Sequence, residues 1–269
     1  MAELPEIFNL AWQMDVELKG KTIADAEVVQ PRCLNCAAEE FRAIVKGKRI
    51  GGVTSRGKWI FAGLDKDASL LLNLGMGGDV LYHRPEEKHT GKYKVILGFT
   101  DGSSLSINFW WFGHLHAIPN SELGNHTMTA TLGISPLDPG FTPEAFRQLL
   151  KGKKGTIKAL LLDQKIIAGI GNVYAQDILF DALIHPGRKA SQLADAEIDS
   201  LYKAIVDNIK AAAAKGGLKF EKDLYGNDGG IEGFKVGYRE GQPCPVCGTT
   251  IRKIKTGSTA SYVCLECQK

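Results

Sequence analysis

Six cysteines fall into three Cys-x-x-Cys pairs: Cys33/Cys36, Cys244/Cys247 and Cys264/Cys267. The last two read CPVC and CLEC, with sixteen residues between Cys247 and Cys264. At that spacing, two tight turns at the ends of a hairpin close four thiolates into a tetrahedron for one structural Zn²⁺. Gly248 suits the first of those turns. Cys33/Cys36, in RCLNC, has no partner pair and no strand–helix setting of a thioredoxin motif, so it reads as two loop or core cysteines.

Two further stretches carry residues able to do chemistry. The chain begins MAELPEIFNLAWQM, and Ile7, Leu10, Ala11, Met14 and Leu18 recur at helical spacing, with Pro5 suited to the first turn and Gly20 to the stop. A helix docked this early would fix the α-amine and Glu3 where a nucleophile or proton-transfer group could use them. The alternative is that Glu3 and Glu6 are first-turn acids complementing the helix dipole. Phe8 and Trp12 stand where a more polar helix start is ordinary. In GIGNVYAQDILF, Gly169 and Gly171 turn the chain into a helix whose first-turn N–H groups and dipole attract a phosphate. Asn172 suits its cap and the donation of a hydrogen bond to phosphate. Lys151, Lys153, Lys154 and Lys158 cluster just before it. The same residues also describe a capped core helix beside a solvated lysine run.

The elements that position these groups follow from composition and period. A chain of 269 residues, 44% apolar and 23% charged, has the make-up of an ordinary globular protein and room for two cores. A net charge of +3 does not by itself mark a nucleic-acid binder. No apolar run reaches membrane-span length and no signal-peptide pattern precedes the first helix, so a soluble, intracellular, cytoplasmic protein is expected. From 21 to about 118, TIADAEVVQ, RIGGVTSRGKWIFAGL, SLLLNLGMGGDVLYH and YKVILGFTDGSSLSINFWWF read as strands, interrupted by a helix at AEEFRAIVKG. The expected divisions are a β-sandwich domain at 1–130, a Pro/Gly-rich linker at 131–141, a helical domain at 142–238 and a zinc ribbon at 239–269. Within the third, Thr142 and Pro143 open a helix, and 217–238 reads as a mobile Gly-rich loop.

ELPE, SRGKWI, LGMGG, LLDQKIIAGIGNVYAQDILFDALIHP, GYREGQPCPVCG and CLECQ occur in the order seen in one family. On these motifs, which span essentially the whole chain, the sequence resembles the formamidopyrimidine-DNA glycosylase / endonuclease VIII family of base-excision repair enzymes. The resemblance implies an α+β multidomain fold: an N-terminal β-sandwich carrying the first helix, a helix–two-turn–helix domain and a C-terminal zinc ribbon, with DNA in the cleft between. It further implies DNA glycosylase and abasic-site lyase chemistry on oxidised bases. The expected partner is duplex DNA bearing a lesion or abasic site, bound by a nucleoid-associated monomer.

Carried over by position, the resemblance makes the amine of Ala2, freed by removal of Met1, the group that attacks sugar C1′. An amine with an ordinary pKa of about 8 is partly neutral at pH 7 and suits that step. If Met1 is retained, the Ala2 nitrogen is an amide and cannot attack. Glu3 becomes the acid–base group, Lys58 and Asn172 phosphate contacts, and Met76 the apolar wedge beside an everted nucleotide. Three departures stand out. Ala2 replaces the usual proline. NFWWFG at 108–113 puts Trp110 or Trp111 where an arginine fills the void opposite the lesion. Thr259 stands where the zinc hairpin usually carries a phosphate-clamping arginine. Threonine cannot imitate a bidentate guanidinium, whereas tryptophan can wedge into a base stack or serve as a strand or rim aromatic. Two functions are therefore expected: a glycosylase/lyase with altered or impaired chemistry, or a non-catalytic damaged-DNA-binding relative.

Overall fold

Helix α1 (Leu4–Leu18) buries Leu4, Ile7, Leu10, Ala11, Met14 and Leu18 while Phe8, Trp12 and Val16 face solvent. Each large apolar side chain so buried contributes roughly 1.5–3 kcal/mol. The helix docks on β2 (Ile50–Arg56), where Asp15 Oδ1 accepts from the Val53 N–H at 2.7 Å within an irregularity between Ile50 and Val53. A computed structural model describes residues 2–87, 89 and 91–269.

After α1 the chain forms β1 (Ile23–Val28), α2 (Ala38–Val45), β2, β3 (Trp59–Leu64), β4 (Ala68–Asn73), β5 (Asp79–His83), β6 (Val95–Phe99), β7 (Ser104–Asn108) and β8 (His114–Pro119). These strands make two four-stranded antiparallel sheets, β1-β6-β7-β5 and β2-β3-β4-β8. Alternate residues of both, including Ile60, Ala62, Leu70, Leu72 and Leu115 from one and Val80, Val95, Leu97, Leu105 and Ile107 from the other, enter one core with α1. The expected sandwich is the observed one. The topology has a consequence for function: β4 leads to β5, and β7 to β8, so both 74–78 and 109–113 pass from one sheet to the other.

The second part of the chain carries α3 (Pro143–Leu150), α4 (Ile157–Leu162), α5 (Asn172–Asp181) and α6 (Asp195–Ala214), then the hairpin β9 (Arg252–Thr256) and β10 (Thr259–Val263). Thr142 and Thr156 cap α3 and α4 by accepting from the N–H groups of Ala145 and Ala159. No described helix is long and apolar enough to cross a membrane.

Packing groups residues differently from the compositional divisions. One unit runs to Thr131 and takes in Lys215–Ile231; the other comprises Leu132–Ala214 and Glu232–Lys269. The Pro/Gly-rich stretch after Thr131 belongs to the helical unit, where Phe141 is buried and Ile134 bridges Ile167. The zinc ribbon shares that unit. Residues 217–238 form no helix or strand, yet Leu218 and Leu224 are fully buried and Leu224 joins the sandwich core. Two apolar anchors in a polar stretch outweigh the turn-forming residues around them.

The outer face of the second sheet buries a histidine cluster. His116 Nδ1 lies 2.9 Å from His126 Nε2, and His126 Nδ1 lies 2.8 Å from Thr129 Oγ1. His114 stacks on Trp59 at a centroid distance of 5.9 Å. Burial, reinforced by the neighbouring histidines, pushes His116 down from 6.5 to about 4. A histidine depressed in the fold stabilises fully above its unfolded pKa and loses that contribution as pH falls toward its folded value. Stability should therefore drop between pH 6.5 and 4, by up to ~3 kcal/mol from this residue. Melting temperature against pH checks this: His116→Gln should flatten the curve, and an equally steep curve in the variant would assign the loss elsewhere.

Candidate active site and nucleic-acid interface

The chain start is held by carboxylates under the protein surface. Glu3 and Glu6 are both buried. The Glu3 N–H donates to Glu6 Oε2 at 2.9 Å, one half of a capping box that starts α1, and Glu6 Oε1 accepts from the Leu218 N–H at 3.0 Å. A Cβ on Gly217 would lie 2.5 Å from Glu6 Oε1, and its φ of +88° also favours glycine. Ala2 is buried in the sandwich core next to Glu3. Met1, and with it the expectation of its removal, lies outside the described residues.

Lys58 sits in the β2–β3 turn with Nζ 3.9 Å from Glu3 Oε1, half-buried against an almost inaccessible carboxylate. The pair thus sets a cationic side chain against a buried carboxylate oxygen at the mouth of the β2–β3 turn. The Lys58 carbonyl accepts from Asn73 Nδ2 at 2.9 Å, and Asn73 Oδ1 accepts from the Gly75 N–H at 3.0 Å. Asn73 thus ties the Lys58 turn to the first crossover loop.

The two crossover loops close on each other. The Met76 N–H donates to the Trp111 carbonyl at 2.8 Å, and the Met76 carbonyl accepts from the Trp110 N–H at 3.2 Å. A Cβ at Gly75 would sit 2.1 Å from the Trp111 carbonyl oxygen, so only glycine permits this approach. The tip displays Met76, Trp110, Trp111 and Phe112 at 45, 75, 64 and 74% exposure. Trp110 and Trp111 are therefore displayed outside the strands, not packed within one. Phe112, at φ +57°, is a fourth member that sequence reasoning missed; its only signal was the last aromatic in FWWF.

In the helical unit the structure corrects two expectations. Asn172 is the first residue of α5, not its cap: Gly171 caps without a side-chain bond, and Asn172 Oδ1 accepts from Gln176 Nε2 at 3.1 Å. The turn before α5 is stitched by Gln164, which donates to the Ile170 carbonyl and accepts from the Gly169 N–H. Lys158 is fully buried, and its amine donates to the Ala260 carbonyl at 2.6 Å and to Ser261 Oγ at 2.8 Å. Burial pushes it down to about 8. It is a tie between α4 and the hairpin, not a surface cation; Lys151, Lys153 and Lys154 remain exposed. Gln176 adds a second tie, donating to the Ala260 carbonyl and accepting from the Tyr262 N–H. On the same hairpin Arg252, Lys253 and Lys255 are exposed, a basic row legible only as IRKIK. Thr259 is half-buried opposite Thr256 at the hairpin turn.

Cys244, Cys247, Cys264 and Cys267 bring their sulfurs within 4.8 Å of one another. The Cys247–Cys264 and Cys244–Cys267 separations are 3.3 and 3.8 Å. A Zn–S bond of ~2.3 Å in a tetrahedron sets an edge of about 3.8 Å, so the donor set fits one structural Zn²⁺. Beneath the thiols, Ile251, Val236 and Phe180 form a small core that seats the ribbon on α5. Cys33 and Cys36 play no part in this. Cys33 is buried, its thiol donates to the Gln30 carbonyl at 3.0 Å, and burial raises both thiols, Cys33 to about 11. Protonated at neutral pH, they act as core residues. Cys264→Ser should release the metal and unfold the hairpin, because metal binding supplies much of a small module's folding energy. Zinc content and the chemical shifts of β9 and β10 report this; a variant that keeps both would remove zinc from the ribbon's stability.

The sequence matches the formamidopyrimidine-DNA glycosylase N-terminal domain over residues 1–108. It matches the H2TH domain of that family over 132–222 and the zinc finger found in FPG and IleRS over 241–269. The formamidopyrimidine-DNA glycosylase of Chloroflexus aurantiacus is 36% identical over 100% of this chain and 98% of its own length. That of Pelotomaculum thermopropionicum is 35% identical over 100% and 99%. Among solved structures, Lactococcus lactis Fpg in complex with abasic-site DNA superposes with a TM-score of 0.91 at 26% identity, covering 100% of both chains. The same protein with DNA containing N7-benzyl-Fapy-dG also gives 0.91 at 26%, covering 99% of each. With its sandwich, helix–two-turn–helix and four-thiolate ribbon in that order, the chain belongs to the formamidopyrimidine-DNA glycosylase family.

Proposed function

We propose that this protein binds damaged duplex DNA, with abasic sites and oxidised bases as the substrate class, through a site centred on Glu3 and Lys58. The observation that carries the reading is one chain of contacts: the Glu3–Lys58 pair, Asn73 behind Lys58, and the exposed Met76/Trp110/Trp111 tip beyond Asn73. A cation, an acid–base group and an apolar wedge at one end of a rigid sheet suit a nucleotide turned out of its stack. Lys58 and Asn172 contact phosphates, and the basic row of β9 supplies charge that Thr259 does not.

The chemistry needs a free amine at Ala2. Its neutral nitrogen attacks C1′ as the bond to the base breaks, and the departing base takes a proton from solvent. The nitrogen then gives one proton to the Glu3 carboxylate, which passes it to the ring oxygen as the C1′–O bond breaks, and the nitrogen lone pair closes the iminium. With Ala2 in place of proline, Thr259 in place of an arginine and no arginine at the tip, the everted nucleotide is held by fewer charge-assisted contacts. Misplacement by ~1 Å costs about 10²-fold in rate, so lyase turnover is weak. The same substitutions favour a second reading, a relative that binds damage without cutting.

Borohydride trapping on abasic-site DNA, with protein shown by mass to lack Met1, separates the two. A weak cross-link at Ala2 that disappears in Glu3→Gln supports the enzyme; tight binding with no cross-link supports the non-catalytic relative. In parallel, Lys58→Ala should weaken binding to all duplex sequences alike and reduce the salt slope by about 1. Unchanged affinity and slope would remove Lys58 from the interface.

A further inference from the structure

We infer that the aromatic tip senses a break in the base stack and is indifferent to which base lies opposite the damage. The inference deepens the DNA-binding reading above and rests on it.

The first argument is chemical. The tip is built from Met76, Trp110, Trp111 and Phe112 and carries no cation, carboxylate or amide side chain. Telling one base from another takes paired donors and acceptors matched to a base edge, as a guanidinium or carboxamide provides. An indole offers one donor and no acceptor, a thioether only a weak acceptor, and a phenyl group neither. What they share is a flat or polarisable apolar surface, and every base presents a π-face to it. Base–aromatic stacking changes affinity by about 5- to 150-fold per base and tolerates any sequence. The ligand is therefore an unstacked nucleobase beside an abasic site, mismatch or bulge.

The second argument is geometric. The tip is prebuilt by the two hydrogen-bonded crossover loops. Gly75 lets their backbones touch, and Gly113 lies so close that a Cβ there would meet the Phe109 ring at 2.1 Å. A surface already ordered loses little freedom on binding. Asn73 fixes it relative to Lys58, so phosphate docking delivers the aromatics to the stack. Entering intact duplex requires stacked pairs to part, whereas at an abasic site or mismatch that cost has largely been met. A rigid, uncharged wedge thus selects for the discontinuity itself.

The test is equilibrium binding of the zinc-loaded, full-length protein to duplexes carrying a tetrahydrofuran abasic analogue opposite A, C, G or T, and to the undamaged duplex. The four abasic duplexes should bind within about threefold of one another, and the undamaged one about tenfold or more weaker. The double substitution Trp110→Ala/Trp111→Ala should collapse that damaged-to-undamaged ratio, and Trp110→Phe/Trp111→Phe should retain most of it. A ratio is read because a folding defect weakens both duplexes together. Trp110→Arg should introduce a spread across the four opposite bases. A wild-type spread of about tenfold, or a ratio that survives the alanine pair, would overturn the inference while leaving DNA binding in place. Absence of binding to every duplex at low salt would bring down the DNA-binding reading with it.

Discussion

A single buried carboxyl group, that of Glu6, joins the start of α1 to the distant 215–231 stretch. Glu6 accepts from the Glu3 N–H on one side and from the Leu218 N–H on the other. A buried carboxyl group is tolerated only when its oxygens are hydrogen-bonded, and both Glu6 oxygens are. The contact therefore sets where the chain starts and draws 215–231 into the first unit. Without it, Ala2 and Glu3 would be a frayed terminus, and Gly217 would keep only its backbone conformation as a reason to be glycine.

Glycine and asparagine do the corresponding work at the tip. Gly75 removes the Cβ that would hold the crossover loops apart, Gly113 leaves room for the Phe109 ring of its own loop, and Asn73 spends both ends of its amide joining that junction to Lys58. The Lys58 turn, the first crossover loop and the aromatic tip are thereby coupled by short backbone contacts along one sheet edge.

The helical unit shows a parallel economy. Lys158 and Gln176 both donate to the Ala260 carbonyl, and Gln176 also holds Asn172, so the zinc hairpin and the start of α5 move as one piece. Cys264, Ile251 and Phe180 supply the apolar seat beneath it. The metal thus supports the position of Asn172 as well as the fold of the ribbon.

Much of this was legible in the residues themselves. Period-2 and period-3.6 patterns mark the strands and helices because side-chain direction is a local property. The two distal Cys-x-x-Cys pairs mark a metal site because thiolate spacing constrains a tetrahedron. The motifs from ELPE to CLECQ mark the family. Burial and partnership were not legible. Lys158 sits in a run of lysines, and only the approach of β10, about a hundred residues later, turns it into an internal tie. WW reads equally as strand or exposed tip until two crossover loops are seen to meet. The 215–231 stretch looks like loose loop because its many glycines and charges outnumber Leu218 and Leu224. Sequence spacing determined which groups this protein possesses; which of them face solvent, which are spent on one another and which share an edge depended on contacts between residues far apart in the chain, and only the tertiary structure decided that.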